Sequence, residues 1–309
     1  MNHGPLIFLG SFLALASSWF GLILMPQLQI GRQQAVVIPE TGQLYPAARP
    51  GLAAQGAQVY RANGCYYCHS QQVRQSGTLF DVTLAPLPKT ETPEAGEALS
   101  KKVLLAVLEA KAGISAKAAR VLIKSAPKPL LSKVTQEEAE SARNLVMRAG
   151  GKVEIAAVPA GADMERNWGR RRTVAADYLF DYPVMLGAQR IGPDLANVGA
   201  RQTEKTWHLM HLYRPNPTVG GSTMPPYPHL FEKRKKGRTP SPGALKVPSS
   251  WLAKDEELVP KPEATALVAY LMSLKAEASL FEAQTPKLPP SDLSPSADPS
   301  TGGATPPAR

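Results

Sequence analysis

The sequence predicts a mainly α-helical fold that begins with a transmembrane helix and whose main domain is interrupted by a small α+β domain. Three observations support this prediction. An uncharged apolar run lies near the N-terminus, a single C-x-x-C-H motif follows at residues 65–69, and the stretch between residues 74 and 167 carries helix and strand signals of its own. The length of 309 residues favours roughly two domains, at about 150 residues each.

The apolar run covers residues 6–25, a length that crosses the ~30 Å hydrocarbon core of a membrane as a helix. Ala14-Leu15-Ala16 has the small-residue pattern of a signal-peptidase site, so a cleaved signal peptide is the alternative. However, the first four residues contain no Lys or Arg, and the run continues well past Ala16. We therefore expect an uncleaved anchor over residues 1–30, with the rest of the chain outside the cytoplasm under either interpretation.

Composition and charge exclude several classes of protein. Two cysteines are too few for a disulfide scaffold or a four-cysteine zinc site. The chain has 35 Lys+Arg against 25 Asp+Glu, a formal net charge of +10, and the excess is greatest over residues 158–240. We find no basic face interleaved with aromatics and no nucleic-acid-binding motif, so no nucleic-acid partner is expected. The basic run at residues 233–238 is most simply a solvated loop, with contact to a membrane or a partner as the alternative.

Both cysteines belong to the motif Cys65-Tyr66-Tyr67-Cys68-His69, which is typical of covalent haem c attachment. Residues i and i+3 share a face of a helical turn, so the thiols of Cys65 and Cys68 can add to the two vinyl groups of one porphyrin. His69 then ligates the iron. A redox-active C-x-x-C would require a thioredoxin-like setting, and a zinc site would require two further ligands; the sequence supplies neither.

A haem c motif predicts a class I cytochrome c fold around it, here over residues 48–78 and 162–276. A helix starting at Pro50 would place Gly56 and Tyr60 on one face. The glycine allows close approach of a second helix, for which residues 263–275 are the candidate.

The second axial ligand must come from downstream of the motif. Met224 lies in the turn-rich loop 220–227, and Met224-Pro225 resembles the loop that delivers the axial Met in class I cytochromes. The segment after Gly192 resembles the one whose proline carbonyl, here that of Pro193, accepts a hydrogen bond from the proximal histidine. Other candidate ligands remain open. They are Met185 and, on one predicted helix, Met210, His208 and His211.

Two segments in family order resemble the membrane-anchored monohaem subunit of cbb3-type cytochrome c oxidases (FixO/CcoO type). They are residues 56–74, GAQVYRANGCYYCHSQQVR, and residues 178–227, which include YLFDYP, LGAQRIGPDLANVG and STMPPY. The resemblance implies one covalent haem c with His69 and Met224 as axial ligands. Further candidates for the haem pocket are Pro193, Arg74, Arg190, Trp207 and Tyr227, of which the two arginines are candidates for haem propionate contacts.

The same resemblance implies a single-pass protein of the bacterial inner membrane, with its haem domain in the periplasm. Its partners would be donor cytochromes c, other cytochrome c subunits and the haem–copper catalytic subunit, so the chain itself would be non-catalytic. Two alternatives are a free-standing membrane-anchored electron carrier and a haem-based sensor in which a gas displaces Met224.

The segment 79–158 departs from this family. Its patterns predict the order β-α-α-β-α-β, including a capping box at Thr135. It resembles the C-terminal domain of the bacterial ribosomal stalk protein (the seven/twelve type), through FDV at 80–82, GISAKAA at 113–119, LIKSAP at 122–127 and AGGKVE at 149–154. Ala118 stands where that family has an acid, so translation-factor binding is not expected. A neutral insertion and a docking module for another respiratory subunit are the two hypotheses.

Residues 282–309 are expected to form a disordered Pro-rich tail.

Overall fold

The computed structural model describes residues 3–29, 31 and 33–283, and the predicted tail lies outside the described residues from position 284 onward. The described chain is a mixed helix and sheet structure and divides into two compact units. One unit consists of residues up to Leu79 together with those from Val158 onward, and the other is Phe80–Ala157.

The helices are α1 (Gly4–Trp19), α2 (Met25–Gln29), α3 (Leu52–Ala62), α4 (Pro93–Ala110), α5 (Ala116–Lys124), α6 (Gln136–Arg148), α7 (Ala162–Glu165), α8 (Val198–Arg201), α9 (Lys205–Tyr213), α10 (Pro215–Thr218) and α11 (Pro262–Ser273). The strands are β1 (Val36–Val37), β2 (Leu44–Tyr45), β3 (Gly77–Leu84), β4 (Lys128–Val134), β5 (Val153–Ala160), β6 (Phe231–Lys235) and β7 (Glu256–Pro260).

The N-terminal helix runs from Gly4 to Gln29, with a π-helical turn at Phe20–Leu24 between α1 and α2. Its 26 residues rise about 39 Å at 1.5 Å per residue. The helix is therefore long and apolar enough to cross a membrane.

In the first unit α3 packs against α11, which agrees with the predicted pairing of these two helices. A side chain at position 56 would bring its Cβ to 1.9 Å from the carbonyl oxygen of Ala266, so only glycine allows this crossing. The rings of Tyr60 and Tyr270 lie 5.4 Å apart at the same contact. This core extends to α9 through Leu209 and Leu212 and to β7 through Leu258.

The expectation of a mainly α fold missed two antiparallel strand pairs, β1 with β2 and β6 with β7. Part of the basic run expected as a solvated loop lies in β6. Phe231 is buried there, and Arg234 forms an ion pair of 3.2 Å with Glu257 on β7. The charges of this run suggested a loop, but its residues pair with β7, and the cross-strand ion pair compensates one of its positive charges.

The second unit has the element order β3-α4-α5-β4-α6-β5, and its sheet has the strand order β4-β3-β5. Its core contains Val82, Val103, Leu130 and Val146. The capping box predicted at Thr135 is confirmed. The first helix of this unit starts at Pro93, and the side chain of Thr92 caps it by accepting from the nitrogen of Ala95.

Candidate haem site

The C-x-x-C-H motif follows α3 directly. Gly64 takes φ = +67°, and Cys65–Tyr67 then form a tight turn. The backbone nitrogens of Cys68 and His69 both donate to the carbonyl of Cys65, at 3.2 and 3.0 Å. This single turn brings the two thiols and the imidazole together.

The ring of His69 is held from the segment that follows Arg190. Its Nδ1 lies 2.8 Å from the carbonyl oxygen of Pro193. Because a carbonyl only accepts, the proton sits on Nδ1 and Nε2 is left as the metal-binding nitrogen. A Cβ at Gly192 would lie 2.3 Å from Cε1 of the ring, so position 192 must be glycine for the ring to stand here. Burial lowers the pKa of His69, which favours the neutral imidazole that ligates metals.

Met224 is half-buried and packs against the same core as Cys65 and Tyr66. The loop that carries it is tied to α9, because the nitrogen of Tyr227 donates to the carbonyl of Leu212 at 2.9 Å. The two other candidate thioethers, those of Met185 and Met210, pack against this core as well. Packing on this core therefore does not distinguish Met224 from these two alternatives.

The two histidines of α9 differ in their surroundings. His208 is buried, and its Nε2 lies 2.9 Å from the carbonyl of Gln202, so this side chain already has a protein partner. The buried Nδ1 of His211 has no hydrogen-bond partner among the described residues, and the ring stacks on Trp207 at 4.8 Å. Burial, followed by the nearby His69, lowers the pKa of His211 to about 4.

Arg190 is bound to the protein through all three of its guanidinium nitrogens. Nη1 and Nη2 donate to Asp163 at 2.8 and 2.6 Å, and Nε donates to Ser70 at 2.9 Å. Asp194, fully buried, accepts from Ser70 and from the nitrogen of Gln72. Sequence reasoning missed this network, since no motif links Asp163 to Arg190.

Arg74, the other propionate candidate, exposes its side chain. Its backbone nitrogen donates to Asp163 at 2.7 Å.

The chemistry of the donor set fits a covalently attached haem. Burial raises the pKa of Cys65 to about 11, whereas redox-active C-x-x-C pairs have a lowered thiol pKa. Within residues 3–29, 31 and 33–283, no three His, Cys, Asp or Glu side chains cluster as ligands for a metal ion. The turn carries two thiols and an oriented imidazole. These are the groups that a haem c site needs for covalent attachment and for the first axial ligand.

Comparison with known families bears on this site. Residues 158–247 match the family described as "Cytochrome C oxidase, mono-heme subunit/FixO". This match supports a monohaem subunit of a cbb3-type oxidase. The matched range contains Pro193 and Met224, while the C-x-x-C-H motif lies before it. The FixO subunit is a non-catalytic part of the oxidase complex.

The chain is also similar to the large ribosomal subunit protein bL12 of Clostridium acetobutylicum. The two are 30% identical over 116 residues, which are 38% of this chain and 86% of the ribosomal protein. The chain therefore contains a bL12-family segment, in partial support of the resemblance noted for the inserted unit.

Proposed function

We propose that this chain is the haem c electron-transfer subunit of a cbb3-type oxidase, passing electrons from donor cytochromes c towards the haem–copper catalytic subunit. One contact carries the proposal. His69, in a motif outside the FixO match, meets the carbonyl of Pro193, inside that match, at 2.8 Å. This contact supports the proposal that the C-x-x-C-H motif and the FixO-like segment belong to one site.

In this proposal Cys65 and Cys68 hold the haem through thioethers, while Nε2 of His69 and the sulfur of Met224 are the axial ligands. The haem, when bound, supplies one-electron chemistry at its iron. Pro193 fixes the tautomer and orientation of the His69 ring. A thioether ligand raises the reduction potential relative to a second histidine.

The surrounding domain, residues 48–78 and 162–276, is proposed to be a class I cytochrome c fold, with Trp207 and Tyr227 at the haem pocket. The anchor over residues 1–30 would hold it on the periplasmic face of the bacterial inner membrane. The inserted domain at 79–158 is proposed to dock another respiratory subunit or a donor.

The test is purification of the full-length chain from membranes. We expect a covalent haem c by pyridine haemochrome spectrum and haem staining, together with a copurifying haem–copper subunit. The Cys65→Ala, Cys68→Ala double variant is the control that should lose the stain. Wild-type protein without haem would contradict the proposal, while haem without the oxidase subunit would favour a free-standing carrier. A reduced spectrum altered by carbon monoxide would favour the sensor alternative.

A further inference from the structure

The loop at residues 178–192 exposes large apolar side chains to solvent. Tyr182 is fully exposed, and Ile191 is 64% exposed. The other large apolar side chains exposed on this loop are Phe180, Val184 and Leu186. Several large apolar side chains exposed on one loop are more than the scattered single ones that are normal on a protein surface, and such a concentration indicates an interaction site.

This loop lies directly against the haem motif. The nitrogen of Ala188 donates to the carbonyl of Tyr66, and the nitrogen of Gln71 donates to the carbonyl of Leu186, both at 2.9 Å. A Cβ at Gly187 would meet the carbonyl oxygen of His69 at 2.4 Å, so the loop backbone touches the backbone of the axial histidine. A partner seated on the loop would therefore sit beside the haem site.

The loop's charges are turned inward. Its two charged residues are Asp181 and Arg190. Asp181 pairs with Arg49, and Arg190 pairs with Asp163 at 2.6 Å; in both pairs the side chains are largely buried. A donor that docks transiently is steered by outward charges, whereas the centre of a permanent interface is apolar and poor in charge. The exposed face of the loop is apolar and carries no outward charge of its own, so it resembles the centre of a permanent interface.

The loop is also held close to the anchor. Val184 and Leu186 line a groove of about 610 Å³ together with Gln33, and the charged residues Arg172 and Glu282 from outside the loop line it as well. Gln33 follows the end of α2, Gln29, by four residues, and four extended residues span at most about 14 Å. If α1 and α2 cross the membrane, this apolar face cannot move far from the membrane surface.

We propose that the exposed apolar face of the 178–192 loop is the docking surface for the membrane-embedded haem–copper subunit, which it places beside His69. This inference rests on the proposed function and adds to it the surface through which the two subunits meet. A lipid surface or a soluble donor would be a different occupant, and the experiment separates them.

The experiment uses the full-length chain in its native membranes. Tyr182→Glu places a charge on the proposed surface, and Leu52→Glu is the matched control. Leu52 is a half-exposed apolar residue in the first turn of α3, where an acid is tolerated. We expect Tyr182→Glu to lower the copurified haem–copper subunit at least tenfold and Leu52→Glu to change it less than twofold, with unaltered haem content in both.

A photocrosslinker identifies the occupant directly. Tyr182→p-benzoylphenylalanine should give an adduct with the haem–copper subunit, and the same group at Leu52 should not. Adducts mainly with lipid or with a donor cytochrome would overturn the inference, as would undiminished copurification of Tyr182→Glu. If the wild-type chain carries haem but no haem–copper subunit copurifies, the proposed function fails together with this surface; if only the variant results disagree, the surface alone fails.

Discussion

At the scale of single residues, the fully buried side chain of Arg171 connects segments of the first unit that are far apart in the sequence. Nη1 and Nη2 of Arg171 donate to Asp177 at 3.0 and 2.7 Å, and its Nε donates to the carbonyl of Ala278 at 2.5 Å. The hydroxyl of Tyr45, at the end of β2, donates to Asp177 at 2.6 Å. With its partners present, such a pair contributes little net stability, but its disruption leaves a buried charge unpaired.

Arg171→Met should therefore lower the free energy of unfolding by about 3–5 kcal/mol. The control is Lys101→Met, which removes an exposed ion pair with Glu97 at 3.0 Å and should cost about 0.3–0.5 kcal/mol. Chemical denaturation followed by circular dichroism measures both. Similar losses for the two variants would show that burial of the Arg171–Asp177 pair is unimportant.

Met224→Ala should leave the haem covalently attached but remove the sulfur-to-iron charge-transfer absorption and lower the reduction potential, because the thioether is lost. Met185→Ala and Met210→Ala are the matched controls, since these side chains pack on the same core. Absorption spectra and redox titration separate the three variants. Loss of the band in either control instead would assign the axial ligand to that methionine.

His208 provides a pH test. Burial lowers its pKa below the usual value of 6.5, so the unfolded state binds more protons than the folded state between the two values. Its contribution to stability is complete above pH 6.5 and is lost as the pH falls through the lowered value. The midpoint of thermal unfolding should therefore decline less steeply between pH 7 and pH 5 in His208→Gln than in the wild type. Parallel declines would contradict this assignment.

At the scale of secondary-structure elements, the crossing of α3 and α11 depends on Gly56. Alanine normally stabilises a helix interior by up to about 1 kcal/mol relative to glycine. Here the added Cβ would lie 1.9 Å from the Ala266 carbonyl, so Gly56→Ala should instead cost about 1–3 kcal/mol of unfolding free energy. Gly77→Ala is the control, because a Cβ there meets nothing within 4 Å. An unchanged stability of Gly56→Ala would mean that the helices can separate without loss.

Features that depend on residues close together in the sequence could be predicted from the sequence. The capping box at Thr135 follows from residue spacing alone. The α3–α11 pairing follows from Gly56 together with the cytochrome c fold that the C-x-x-C-H motif predicts, and the turn at residues 65–69 follows from the motif itself. Contacts between distant positions could not be predicted in this way. Arg171, which is buried, contacts Tyr45 and Ala278, both of which lie far from it along the chain. Arg234 on β6 likewise pairs with Glu257, which is 23 residues away.

At the scale of the whole molecule, the first unit is interrupted in sequence by the second, and its two segments contact each other close to the interruption. The nitrogen of Ser76 donates to the carbonyl of Ala160 at 2.9 Å. A Cβ at Gly161 would lie 2.8 Å from the hydroxyl of Ser76. Backbone contacts within the first unit therefore join the two segments that flank the inserted unit.

Replacement of residues 80–157 by a short Gly/Ser linker should leave the haem content and the absorption spectrum unchanged, because this backbone contact remains. If the inserted unit is a docking module, complex assembly and turnover should fall in the same variant. Val103→Asp, which introduces a charge into the core of the inserted unit, is the control that keeps the chain length. Normal assembly and turnover in the deletion variant would contradict the docking hypothesis.

The contact between His69 and Pro193 also has a consequence for the timing of maturation. The two residues are 124 positions apart, and the inserted unit supplies more than half of that separation. At roughly 5–20 residues per second, the ribosome needs about 6–25 s to pass from one to the other. During that interval the nascent motif has no proline carbonyl beside it. If the two thiols attach a haem as proposed, they are therefore available for that attachment before Pro193 can contact His69.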